Sequence, residues 1–361
     1  MKHYRIPMIP GPTRLNPVSF KALTSDFGAS YQEDEFYELY GAVGRKLARL
    51  MGTRNEVVLQ PGEGMAVLWG AVKSTLKPGE TLLAVSTGLF GEGFADMAKG
   101  IGARGETVAY DYDETIHDLD RVEDAIKRFR PKVLTVVHCE TPSGTLNPLD
   151  ELGSLKKRYD IPVMIVDAVS SISCAPVRGD DWNADIVLGG TQKGLSLPPS
   201  QAFASVSPAA WEIIREVNYV GYEAFAPYRD LERTKAHPNT ADWNQTAALN
   251  DVLDEILDGE GLEAVFARHE SVAAFVRSGL VEAGYRLFPK PDAVQSPSVT
   301  AVYLPEGRTY DAFRQAVGAR GMGIAGSFGK IAGKVFRLGH MGTQATRENA
   351  EAALEVLRAV R

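Results

Sequence analysis

The sequence predicts an α/β protein: a mainly parallel, doubly wound sheet forms a large domain, and a smaller α+β domain follows it. Three observations carry this. Short runs of consecutive apolar residues alternate with helical patterns through the first two thirds of the chain. Continuous rather than alternating apolar character marks strands covered on both faces, as in parallel sheets. After about residue 245 the texture changes to long helical segments with a few strands between them, which reads as a separate α+β unit. The 361 residues, 44% hydrophobic and 24% charged, suffice for two cores.

Taken in order, residues 1–18 carry Pro7, Pro10, Pro12 and Pro17 and read as an extended arm, because proline removes a backbone donor and fixes its own φ. The large domain spans residues 19–245, with strand-like runs at 56–59, 81–85, 133–137, 163–166 and 186–188. Helices lie between them. One opens near Gly64, and one covers residues 118–128, where Leu119, Val122, Ala125 and Ile126 recur at helical spacing. The small domain, residues 246–361, holds helical stretches through Leu253, Ile256, Leu262, Val265 and Phe266, strands at 299–303 and 335–338, and a helix near 312–317. Its last element, 346–360, presents Ala350, Ala353, Leu354 and Leu357 as an inward face.

A net charge of −7 without a dense Lys/Arg stripe argues against nucleic-acid binding. No stretch approaches a membrane span and the first residues lack a long apolar run, so the expected location is the cytoplasm. Cys139 and Cys174 are the only cysteines; without CxxC spacing they read as small core residues.

Open parallel sheets bind ligands at the carboxyl ends of their strands, and the chemically suggestive residues fall there. Lys193 follows the 186–188 run, and Asp167 closes the 163–166 run. A buried lysine amine forms a Schiff base with an aldehyde cofactor, and a carboxylate facing a pyridine nitrogen keeps that ring protonated and electron-accepting. Together the pair points to pyridoxal 5'-phosphate. Pro61-Gly62-Glu63-Gly64-Met65 opens a helix whose free amides suit a phosphate. Phe90 stands after the 81–85 run as a ring that can stack on a pyridine face. Hydroxyls in His138-Cys139-Glu140-Thr141-Pro142-Ser143-Gly144-Thr145 suit a phenolic oxygen, and Gln192 adds a polar group beside the lysine.

With these motifs in this order the chain resembles the class V branch of fold-type I pyridoxal-phosphate enzymes, near the alanine:glyoxylate, serine:pyruvate and aminoethylphosphonate:pyruvate aminotransferases. The resemblance runs from Pro10-Gly11-Pro12-Thr13 to Arg337-Leu338-Gly339-His340-Met341-Gly342. It implies Lys193 as the Schiff-base and proton-shuttling lysine, Asp167 on the pyridine nitrogen, and Phe90 and Val169 on the two ring faces. Thr141 would contact the ring oxygen, and the Gly64 and Met65 amides with Gln192 would hold the phosphate. Arg337, with Gly11, would bind the substrate carboxylate, for which a guanidinium fork is suited. The resemblance also implies a homodimer with shared sites, Thr240 of the second subunit reaching the phosphate, and His237 standing where relatives have a tyrosine. The expected reaction moves an amino group from a small amino acid to glyoxylate or pyruvate.

Glu63 departs from the pattern. A carboxylate about 5 Å from a phosphate costs roughly 3 kcal/mol per unit charge at an effective dielectric of about 20. Either Glu63 points away, or the site takes unphosphorylated vitamin B6. The second option resembles the pyridoxamine:pyruvate aminotransferases, similar here in the Gly-Glu pair, Thr-Pro-Ser-Gly and Gly-His-Met-Gly. Those enzymes have a second arginine shortly before the one matching Arg337, and Gly326-Ser327-Phe328-Gly329-Lys330 has none. A lyase on the same fold is the remaining enzymatic alternative. Tyr31, Phe328 and His340 are candidates for the donor pocket.

Overall fold

In the computed structural model, residues 3–28 and 30–361 are described. Seven strands form the central sheet: β1 (Glu56–Pro61), β2 (Thr81–Ser86), β3 (Arg104–Ala109), β4 (Val133–Val137), β5 (Val163–Asp167), β6 (Ile186–Gly190) and β7 (Gln201–Val206). Their order is β1-β7-β6-β5-β4-β2-β3. Only β7 runs against the rest, antiparallel to both β1 and β6; the other pairings are parallel. The fold is the α/β fold with a mostly parallel sheet expected of fold type I.

Two strands of this central sheet lie outside the sequence reading, for opposite reasons. β3 is an edge strand, polar and largely exposed except at Val108, so it lacks the apolar run that marks its neighbours. β7 is buried along its whole length, but its small residues, Ala202, Ala204 and Ser205, give a weak signal.

Helices α1 (Asp34–Leu50), α2 (Gly64–Thr75), α3 (Leu89–Gly100), α4 (Leu119–Phe129), α5 (Asp150–Arg158) and α6 (Pro208–Val217) accompany the sheet. In α4 the buried residues are Val122, Ala125 and Ile126, and the helix ends where Arg130 turns to φ 47°. Helix α7 (Trp243–Asp254) leads through a wider turn into α8 (Leu262–Glu282).

The second sheet has three antiparallel strands in the order β8 (Val299–Tyr303), β10 (Val335–Gly339), β9 (Ala325–Gly326). Helices α9 (Tyr310–Ala319) and α10 (Arg347–Val360) belong with it. All four residues expected on the inward face of α10 are buried, and Thr346 caps it by accepting the Asn349 amide at 3.1 Å. The proline-rich segment contributes one short strand, Ile6–Pro7, paired in parallel with Met322–Gly323; Ile6 and Met8 pack into the core of this second sheet. Among the described residues no helix is long and apolar enough to cross a membrane.

Candidate active site

The carboxyl ends of β1, β2, β4, β5 and β6 converge on a cavity of about 220 Å³. Parallel strands emerge side by side, so residues far apart in sequence meet at one rim. Asp167, the last residue of β5, is 6% exposed and its Oδ1 accepts the Val169 amide at 2.8 Å. Burial raises its pKa to about 6, with Glu63 adding, while the Val169 amide and Lys193 pull it down.

Lys193 follows β6, beside β5. Its Nζ donates to the Pro10 carbonyl at 2.7 Å, and Thr13 Oγ1 pins its backbone by donating to its carbonyl at 2.9 Å. Burial and the neighbouring Arg337 charge lower the amine to about 8, against the pull of Cys139, Asp167 and Glu63. A minor but appreciable fraction is therefore neutral near physiological pH, far more than for an ordinary lysine.

Gly11, Phe90, Thr141 and Val169 line the same cavity. Phe90 belongs to the first turn of α3, and Thr141 Oγ1 makes a short hydrogen bond with Ser170 Oγ. At the other end, Gly64 and Met65 open α2, which has no side-chain cap. Their amides have no hydrogen-bond partner among the described residues, as the first turn of a helix leaves its donors free. Gln192 is buried beside them with its Oε1 unpaired.

Glu63 turns inward. It lines the cavity, accepts a hydrogen bond from Gln192 Nε2 at 3.4 Å, and has no ion-pair partner among the described residues. Of the two orientations open in the sequence, the one pointing away is not adopted.

Arg337, in β10, does not line the cavity itself. It reaches the rim from behind: Nη1 donates to the Thr141 carbonyl at 3.3 Å and Nε to the Gly326 carbonyl at 2.7 Å, with the Phe328 ring 4.8 Å from the guanidinium carbon. It is 4% exposed, burial lowers its pKa to about 10, and it has no acidic partner among the described residues. A guanidinium left unpaired at such burial is poised for an incoming anion.

Thr240 is exposed and does not line this chain's own cavity. The His237 ring meets Tyr31, Phe36, Tyr40 and Tyr228 edge-on, with its Nδ1 2.7 Å from the Asn239 carbonyl. His340 is fully buried between Thr300 Oγ1 at 2.8 Å and the Pro297 carbonyl at 2.9 Å, which makes it a packed core histidine. Tyr31 sits with His237, away from the cavity.

Three groups at the site have no assigned role in the sequence reading: the Pro10 carbonyl on Lys193, Ser170 on Thr141, and the buried carboxylate of Glu140. Glu140 lies inside the 138–145 segment already singled out and Ser170 directly follows Val169, but nothing in their residue types announces the contact. Cys139, a buried free thiol like Cys174, also lines the cavity.

The chain is similar to known proteins along its whole length. It is 33% identical to the pyridoxamine–pyruvate transaminase of Mesorhizobium japonicum, covering 98% of this chain and 90% of that one. It is 31% identical to the alanine–glyoxylate aminotransferase of Callithrix jacchus, covering 98% and 87%. The crystal structure of ureidoglycine–glyoxylate aminotransferase from Bacillus subtilis superposes with a TM-score of 0.94 at 28% identity, over 100% of this chain and 93% of that one. The model of the family Aminotransferase class-V matches residues 24–343. This family match, these relatives and this fold make the chain, with its buried lysine and carboxylate at one cavity, a transaminase, and it belongs to the class-V aminotransferases.

Proposed function

We propose that this transaminase uses pyridoxal 5'-phosphate to move an amino group from a small amino acid to glyoxylate or pyruvate. The observation that carries the reading is the meeting of Lys193 and Asp167 in one cavity, at the ends of adjacent strands. The residues present fit the cofactor: two free helix amides await an anionic acceptor, and Gln192 is buried beside them, its Nε2 the donor on that side. A Cβ at Gly64 would stand 3.0 Å from a Val169 methyl, narrowing the space a flat ring needs.

When bound, the cofactor supplies a reactive aldehyde carbon and an electron-accepting ring. In this reading the Asp167 carboxylate holds the proton on the ring nitrogen. The Lys193 amine carries the proton to and from the substrate α-carbon. Arg337 fixes the substrate carboxylate beside Gly11, Phe90 and Val169 enclose the ring, and Thr141 with Ser170 meets the ring oxygen. The amides of Gly64 and Met65, with Gln192, hold the phosphate.

A second copy completes the site in this proposal. Phe20 is 50% exposed, Val220 86% and Tyr222 65%; large apolar groups left in solvent suit a covered face. Thr240, exposed on each copy, reaches the phosphate of the other. Two buried free thiols fit the reducing cytoplasm.

The test is chemical. Borohydride treatment of the purified protein should attach the cofactor irreversibly to Lys193, read by peptide mass, and Lys193→Ala should lose about 10³-fold or more in turnover. Full turnover in that variant would end this reading. Glu63 favours a second one. An inward carboxylate opposes a phosphate dianion but tolerates a neutral hydroxymethyl group, which is the situation in pyridoxamine–pyruvate exchange. Identifying the B6 compound released from the protein by mass separates the two.

A further inference from the structure

Glu140 is 0% exposed and carries no cation partner among the described residues. A lone buried carboxylate is costly unless its oxygens are hydrogen-bonded. The compensation comes from the first turn of α3: Oε1 accepts the Gly91 amide at 2.7 Å and Oε2 the Phe90 amide at 3.3 Å. These donors have no acceptor within the helix, and the helix dipole favours an anion there.

The backbone of Glu140 makes a second set of bonds. Its carbonyl accepts the Ser143 and Gly144 amides at 3.2 and 2.9 Å, closing the turn that presents Thr141, whose own carbonyl receives Arg337. Close approach also dictates Gly88. That residue is in extended backbone, open to any side chain, but a Cβ on it would lie 2.6 Å from the Glu140 carboxyl carbon. Burial pushes Glu140 up to about 8, helped by the Asp167 and Glu92 charges and opposed by the two amides.

We propose that Glu140 is a positioning residue: its carboxylate clips the start of α3 to the 140–144 turn, so that Phe90, Thr141 and Arg337 are held as one unit around the bound cofactor. The inference rests on the assignment of Phe90 to the cofactor ring made above. It differs from simple capping of a helix, because a cap stabilises α3 without governing the cofactor.

Gly88→Ala displaces the carboxylate while leaving it in the protein, and Glu140→Ala removes it. The readouts are the dissociation constant of pyridoxal 5'-phosphate, the visible circular dichroism that the protein induces in it, and the thermal midpoint of the cofactor-free chain. Each variant should weaken cofactor binding about tenfold and flatten the dichroism, as expected for losing one aromatic stack. The double variant should be no worse than Glu140→Ala, and Glu140→Ala should add little to Phe90→Ala. Glu140→Gln, which keeps an acceptor for the Gly91 amide, should recover most of the dichroism.

Additive losses, or a folded Glu140→Ala with unchanged affinity and dichroism, overturn the clip. If Glu140→Ala does not fold, Gly88→Ala decides by the same two cofactor readouts. A wild-type chain that binds no B6 compound overturns the functional reading itself, which a failure confined to the variants does not.

Discussion

Arg337 and Glu140 are both buried ionisable groups without an opposite charge beside them, and their environments send them to different uses. Arg337 donates to two neutral carbonyls and meets the Phe328 ring, with no carboxylate paired to it among the described residues, so its remaining donors are left for a ligand. Replacing it with alanine should raise KM for the amino donor by roughly 10- to 100-fold, the worth of a charge-assisted hydrogen-bond pair, with a smaller change in kcat; equal KM values would reject the clamp. Glu140 has used its oxygens on backbone amides and retains a raised pKa. Its ordinary value is 4.5 and the folded value about 8, so between these the folded state holds a proton that the unfolded state has released. Its contribution to stability is complete below about 4.5 and is lost as pH rises through about 8. The thermal midpoint of the cofactor-free protein should therefore fall over that window, and Glu140→Gln should make the fall shallower; identical pH profiles would contradict the shift. Lys193 and Asp167 are legible in sequence because each ends an apolar run, where parallel sheets expose their chemistry. Glu140 is not legible in this role, since a carboxylate in a Thr-Pro-Ser-Gly turn looks solvated until the sheet brings α3 over it.

At the scale of elements, the same physics decides what a sequence displays. The strands β1, β2, β4, β5 and β6 are apolar along their length because helices cover both faces, and their positions follow from that alone. β3 escapes because its residues, Val108 apart, are polar or at least partly exposed, and β7 because alanine and serine fill much of it. The largest residue of β7, Phe203, packs where its β6 neighbour Gly189 has no side chain, a Cβ there lying 2.1 Å from the ring. Helix ends are legible where a cap is spelled out. Thr346 stands directly before α10 and accepts the Asn349 amide, so Thr346→Ala should cost about 1 kcal/mol of unfolding free energy in denaturant titration. A loss near zero would mean that the last helix is held by its buried face alone. The start of α2 shows the reverse case. It has no capping side chain, and its open amides face the cavity.

At the scale of the whole molecule, one chain lines its cavity with most of the proposed site residues, and Thr240, proposed to act from a second copy, is not among them. If two copies share their sites, sedimentation should give a dimer, and Thr240→Ala should weaken pyridoxal 5'-phosphate about five- to tenfold, one hydrogen bond's worth, without touching binding of unphosphorylated pyridoxal. A monomer, or an equal loss for both ligands, would remove Thr240 from the phosphate. The proline-rich segment also acts at this scale. Ile6 and Met8 amides bond to Gly321 and Gly323 carbonyls, and the Gly339 amide returns to Met8. A few residues on, Pro10 meets the lysine amine, Thr13 the lysine carbonyl, and the Asn16 amide the Ser196 carbonyl. The segment is thus a strap fastened to the second sheet at one end and to the lysine loop at the other. The placement of the Lys193 amine is thereby tied, through the same few residues, to the placement of the second sheet.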